Sequence, residues 1–121
     1  MKYNLEGRLV DFAVSIIKIS NELNHSFAAV HLSKQLIRSG TSIPLNYGEA
    51  QSAESRKEFI YKMKISLKEA RESMVCLKIL ERAHLIRKKD MVEEAKKELN
   101  EITSILVTSI ATAQRNLHAK N

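Results

Sequence analysis

The sequence predicts an all-α fold, an up-down-up-down antiparallel four-helix bundle in a single domain spanning residues 1–121. Two observations predict it. Apolar residues recur at steps of three and four in successive segments, the pattern of helices with one buried face. Gly and Pro together occupy four of 121 positions, which favours long uninterrupted helices with short joints over a turn-rich β fold. Short joints make sequential helices antiparallel neighbours.

Leu9, Phe12, Ala13, Ile16, Ile17, Ser20 and Leu23 define helix 1, about residues 6 to 23, which ends in the polar stretch from Asn21 to Ser26. Ser26 is the N-cap of helix 2, whose inner face carries Ala29, Leu32, Leu36, Ser39, Gly40, Ile43 and Tyr47 and which runs to about Gly48. Pro44 removes a backbone donor inside this helix. Because the periodicity continues on both sides, a kink is expected there and not a break. Ser55-Arg56-Lys57-Glu58 reads as a capping box opening helix 3, with a core line of Phe59, Met63, Leu67, Ala70, Met74 and Leu77. Leu85, Ile86 and the Arg87-Lys88-Lys89 run turn the corner. Asp90 with Glu93 then opens helix 4, which buries Val92, Ala95, Leu99, Ile102, Leu106, Ile110 and Ala113.

Charge is concentrated. The segment from Glu54 to Lys89 holds 11 of the 20 basic residues and 5 of the 14 acidic ones, a net of +6 that equals the excess of the whole chain. Lys57, Lys64, Lys68, Arg71, Lys78 and Arg82 fall on one line of helix 3, interrupted by Tyr61 and Val75. A basic excess confined to one element marks a surface for a polyanion, RNA or DNA, while the ordinary alternative is a solvated lysine face. Aromatic candidates for base stacking are limited to Tyr3, Tyr47, Tyr61 and three Phe.

Two further constellations stand on helices 2 and 3. Gln35, Arg38, Ser42, Asn46 and Glu49 form a polar line beside the small residues Ser39, Gly40 and Gly48. A ligand pocket is one reading. A hydrogen-bonded network between helices or subunits is preferred, since polar lines in bundles more often specify packing than chemistry. On helix 3, Tyr61, Ile65, Cys76 and Ile79 lie away from the core line and are expected to form a subunit interface.

Enzymatic signatures are lacking: the chain has no Gly-rich phosphate loop, no HExxH and no nucleophile elbow. Two Glu-x-x-His pairs, Glu22 with His25 and Glu81 with His84, have the spacing used in di-iron bundles. The start of helix 2 offers no further carboxylate, so no metal and no cofactor is expected. His31 and His118 read as surface residues. The lone Cys76 excludes an internal disulfide and fits a reducing compartment. Glu6 and Asp11 break the apolar run that a signal peptide needs, and no stretch approaches the ~20 apolar residues of a membrane span, so a cytoplasmic location is expected.

The runs from Gln35 to Ile43, from Asn46 to Phe59 and from Lys62 to Glu72 resemble the bacterial 23S rRNA intervening-sequence proteins. Many relatives read Asn-Ile-Ala-Glu-Gly followed by Arg where this chain has Asn46-Tyr47-Gly48-Glu49-Ala50 and then Ala53, so it is similar to the Asn-Tyr-x-Glu-Ala branch. The resemblance implies a bundle that assembles into a homopentamer, with no enzymatic activity. It also implies kinship with the accessory protein of diversity-generating retroelements, which binds nucleic acid. The residues and the resemblance together predict a noncatalytic oligomer that binds nucleic acid through helix 3. The alternative is a structural or protein-interaction module that binds none.

Overall fold

The computed structural model describes residues 4–119. Four helices follow one another: α1 (Leu5–Asn21), α2 (Phe27–Gln51), α3 (Arg56–Arg82) and α4 (Lys89–Ala119). Each packs on its neighbours in chain order, α4 closes the ring against α1, and the diagonal pairs do not meet. The α1–α2 and α3–α4 loops lie together at one end, where the Asn24 N–H donates to the Leu85 carbonyl at 3.2 Å beside an antiparallel bridge between Leu23 and Ile86. This is the up-down-up-down bundle that the spacing predicts.

The helix ends follow from local chemistry. Ser26 Oγ accepts from the Ala29 N–H at 3.2 Å, and Ser55 Oγ from the Glu58 N–H at 3.0 Å, each satisfying an orphan donor of the first turn. The expected capping box is displaced by one residue, because the Glu58 carboxylate accepts from the Glu54 N–H and not from that of Ser55. At the far end of α3, the Leu85 N–H bonds to the Leu80 carbonyl and the His84 N–H to that of Glu81, a Schellman ending. It places His84 at φ 56°, where glycine is the usual occupant. α4 begins at Lys89, so Asp90 lies in its first turn, where its charge favours the helix dipole, instead of capping it. α2 continues through Pro44 to Gln51.

The core holds all seven residues expected from α4 and, from α2, Ala29, Leu36, Ser39, Gly40 and Ile43. α1 departs from expectation: Ile19 is buried, whereas Ile17 is 43% exposed. On α3 the buried line is Ile60, Met63, Ser66, Glu69, Ala70, Ser73, Cys76, Leu77 and Leu80, with Phe59, Leu67 and Met74 only partly covered. The inner face is therefore turned toward α2. Serines make that approach close: Ser73 Oγ donates to Ser39 Oγ at 2.8 Å, and Ser66 Oγ to the Ile43 carbonyl at 2.9 Å. These buried hydroxyls of α3 are satisfied across the seam by α2.

Candidate nucleic-acid interface

Lys57, Lys64, Lys68, Arg71, Lys78 and Arg82 are all exposed on α3. They fall in one file because the steps between successive positions, Tyr61 and Val75 included, alternate between four and three residues. None of the six forms an ion pair. Among the described residues five other basic side chains are engaged by carboxylates: Arg8 with Glu98 and Glu101, Arg38 with Glu69 and Glu72, Lys62 with Glu49, Lys88 with Glu22, and Lys96 with Glu81 and Glu93. The file thus presents positive charge that no carboxylate of the described residues pairs with, and its apolar members Tyr61 and Val75 are 62% and 56% exposed.

The polar line of α2 faces α3. Arg38 bridges Glu69, at 2.9 Å, and Glu72. Hydrogen bonds to Glu72 and then Glu69 raise the Arg38 pKa, so the guanidinium is fixed as a cation. Glu49 pairs with Lys62 at 2.6 Å and holds the Lys62 ammonium above its usual range. Ser42 and Asn46 bond within their own helix, to the carbonyls of Arg38 and Ser42, and Gln35 is exposed. The small residues do not open a pocket in α2. Ser39 is occupied by Ser73, and a Cβ at Gly40 would come within 3.0 Å of the Ile16 side chain, so that glycine is where α1 and α2 approach closely. Gly48 faces open space.

Glu69 is almost fully buried, and Arg38 is its bonding partner. Removing the guanidinium leaves a carboxylate with little water to replace it. Arg38→Ala should therefore lower the melting temperature by several degrees, whereas Lys64→Ala, at an exposed and unpaired position, should change it little. Equal melting temperatures by circular dichroism would show that the bridge contributes nothing.

The expected apolar flank of α3 is divided. Cys76 belongs to the core, with its thiol pushed up chiefly by burial and further by Glu72, so it is unavailable to a neighbouring subunit. The reason is the turn of α3 toward α2, which carries position 76 inward. Ile79 is exposed, Ile65 is half-buried, and Tyr61 lies within the basic file. A second apolar line escaped the sequence reading: Val10, Val14 and Ile17 on α1 are each more than 40% exposed, with Val30 of α2 similarly so. Their steps of four and three were the available signal.

Glu22 and Glu81, the acids of the two Glu-x-x-His pairs, are each held by a lysine, while His25, His31, His84 and His118 are exposed. Among the described residues no group of three or more His, Cys, Asp or Glu side chains could hold a metal ion. No helix of the described residues is long and apolar enough to cross a membrane. Tyr3 lies outside the described residues.

This geometry defines a class: a small four-helix bundle with one outer helix face of unpaired positive charge. The model of the 23S rRNA-intervening sequence protein family matches residues 6–108, and the chain belongs to that family. A solved structure of a protein of unknown function from the S23 ribosomal protein family of Bacteroides thetaiotaomicron VPI-5482 is 36% identical. It superposes with a TM-score of 0.81, over 88% of this chain and 98% of that one. No curated protein matches.

Proposed function

We propose that this chain is a noncatalytic homo-oligomeric bundle that binds RNA or DNA through the exposed face of α3. One observation carries the reading: the six cations of the file are exposed together in a single line of α3 with no carboxylate partner among the described residues, whereas the other described basic residues outside ion pairs, Lys18, Lys34, Arg56, Arg87, Lys89, Lys97 and Arg115, are spread over all four helices and the α3–α4 loop. Each cation that meets a phosphate releases condensed counterions, so affinity comes from backbone charge and depends steeply on salt. A gel-retardation series with structured RNA, duplex DNA and single strands across salt tests it. Binding that weakens linearly on a log–log scale is expected, and no retardation at low salt would leave an interaction module as the better description.

Assembly is supported by apolar surface on different sides of the bundle, Val10, Val14 and Ile17 on α1 and Ile65 and Ile79 on α3. Two unlike faces suit a head-to-tail contact that closes into a ring, and the family resemblance implies five subunits. Repetition of the basic file around such a ring would multiply weak contacts. Light scattering after size exclusion should give a multiple of the single-chain mass, reduced by Val14→Lys with helicity retained. A native chain with the mass of one subunit would contradict assembly.

A further inference from the structure

The ligand of the basic file can be narrowed, on the reading that α3 binds nucleic acid. The file runs Lys57, Tyr61, Lys64, Lys68, Arg71, Val75, Lys78, Arg82, so its cations are separated by two exposed apolar side chains. A surface meant only for phosphates gains nothing from a tyrosine and a valine at the centres of its gaps. Both are more than half exposed, and neither is needed by the core.

The chemistry that alternates charge with flat apolar surface is a nucleic-acid strand whose bases are unpaired. Lys57 and Arg82 are 25 positions apart, which at 1.5 Å per residue makes the file about 38 Å long, with successive positions about 5 Å apart. A duplex strand winds once in about 34 Å. A straight file laid against a duplex therefore meets its backbone only at a few crossings and turns its apolar members toward charged backbone or groove water. A single strand has no such constraint and can lie along the helix, with phosphates against the lysines and arginines and bases over the apolar positions.

Tyr61 is the described aromatic placed to act this way. Phe12 is buried, Phe59 and Tyr47 pack against the core, and Phe27 is exposed at the first residue of α2, off the file. Tyr61 is flanked by Lys57 and Lys64 along the file, and the Lys62 ammonium lies 5.9 Å from its ring centroid. Lys62 is itself tied to Glu49, which braces it beside the ring.

We infer that the α3 file is a site for single-stranded nucleic acid, with Tyr61 a platform on which a base stacks between two phosphate contacts.

Fluorescence anisotropy of the full chain with labelled oligothymidylate and oligouridylate of about 16 nucleotides, and with a duplex of equal length, tests the inference, the probes being compared at each concentration of one salt series. Both single strands should bind more tightly than the duplex, and the pair separates DNA from RNA preference. Tyr61→Ala should weaken single-strand binding about 5- to 100-fold and leave the salt slope unchanged, while Tyr61→Phe keeps the ring and should bind as the native chain does. Duplex binding as tight as single-strand binding would overturn the inference, as would a Tyr61→Ala chain of native affinity. A fall in assembly mass for Tyr61→Ala would also overturn it, by placing the residue in a subunit contact. Absence of binding to every probe at low salt would instead remove the nucleic-acid reading on which the inference rests.

Discussion

Ile16→Ala is expected to lower the unfolding free energy by about 2–5 kcal/mol, because the side chain is fully buried and the bundle can only partly collapse around the void. Its position makes a sharper test available. A Cβ at Gly40 would come within 3.0 Å of both Ile16 Cγ1 and Cγ2, so Gly40→Ala in the native background combines a helix-propensity gain of about 1 kcal/mol with crowding that costs about 1–3 kcal/mol. With Ile16 already truncated, the new methyl has room and fills part of the cavity. The double variant should therefore be more stable than the sum of the single effects predicts, by about 0.5–3 kcal/mol. Urea unfolding at equal chain concentration measures all three, and strict additivity would show that α1 and α2 do not meet at this point.

α4 was the most legible element. Its seven inner positions stand at regular steps among polar neighbours, so periodicity had only one solution. α1 was less so, because Ile16, Ile17 and Ile19 crowd one stretch and Ile17 continues the outer line of Val10 and Val14 as well as it continues the inner one. α3 misled for a different reason. Three of its inward residues, Ser66, Glu69 and Ser73, are polar, and they are buried because the facing residues of α2 satisfy or allow them. No hydropathy pattern on one helix reveals a partner on another, so periodicity alone puts the buried line on the Phe59 side and Cys76 at the surface. The basic file needed no partner to be read, since exposure leaves its spacing undisturbed. For Arg38 and Glu49 the likelihood of pairing was visible in the sequence, but the identity of the partners, Glu69, Glu72 and Lys62, depends on the α2–α3 register.

The second large effect concerns the file. Lys64, Lys68 and Arg71 stand together at its centre, exposed and free of carboxylate partners. Changing all three to Gln keeps helix propensity and touches no core contact, so the bundle should fold and assemble as before. Each charge lost removes about 0.7 to 0.9 from the dependence of log affinity on log salt. At about 0.1 M salt that is most of a decade per charge, and the triple variant should bind about 100-fold more weakly or worse, whatever the base sequence.

The salt slope of binding, measured side by side for the native chain and this assembled triple variant, tests the central claim most directly. With six phosphate contacts on one engaged file, the native slope should lie near −4 to −5 and that of the variant should be shallower by about 2 to 3. Identical affinity and identical slope for the two would show that nucleic acid, if bound at all, is held by another surface.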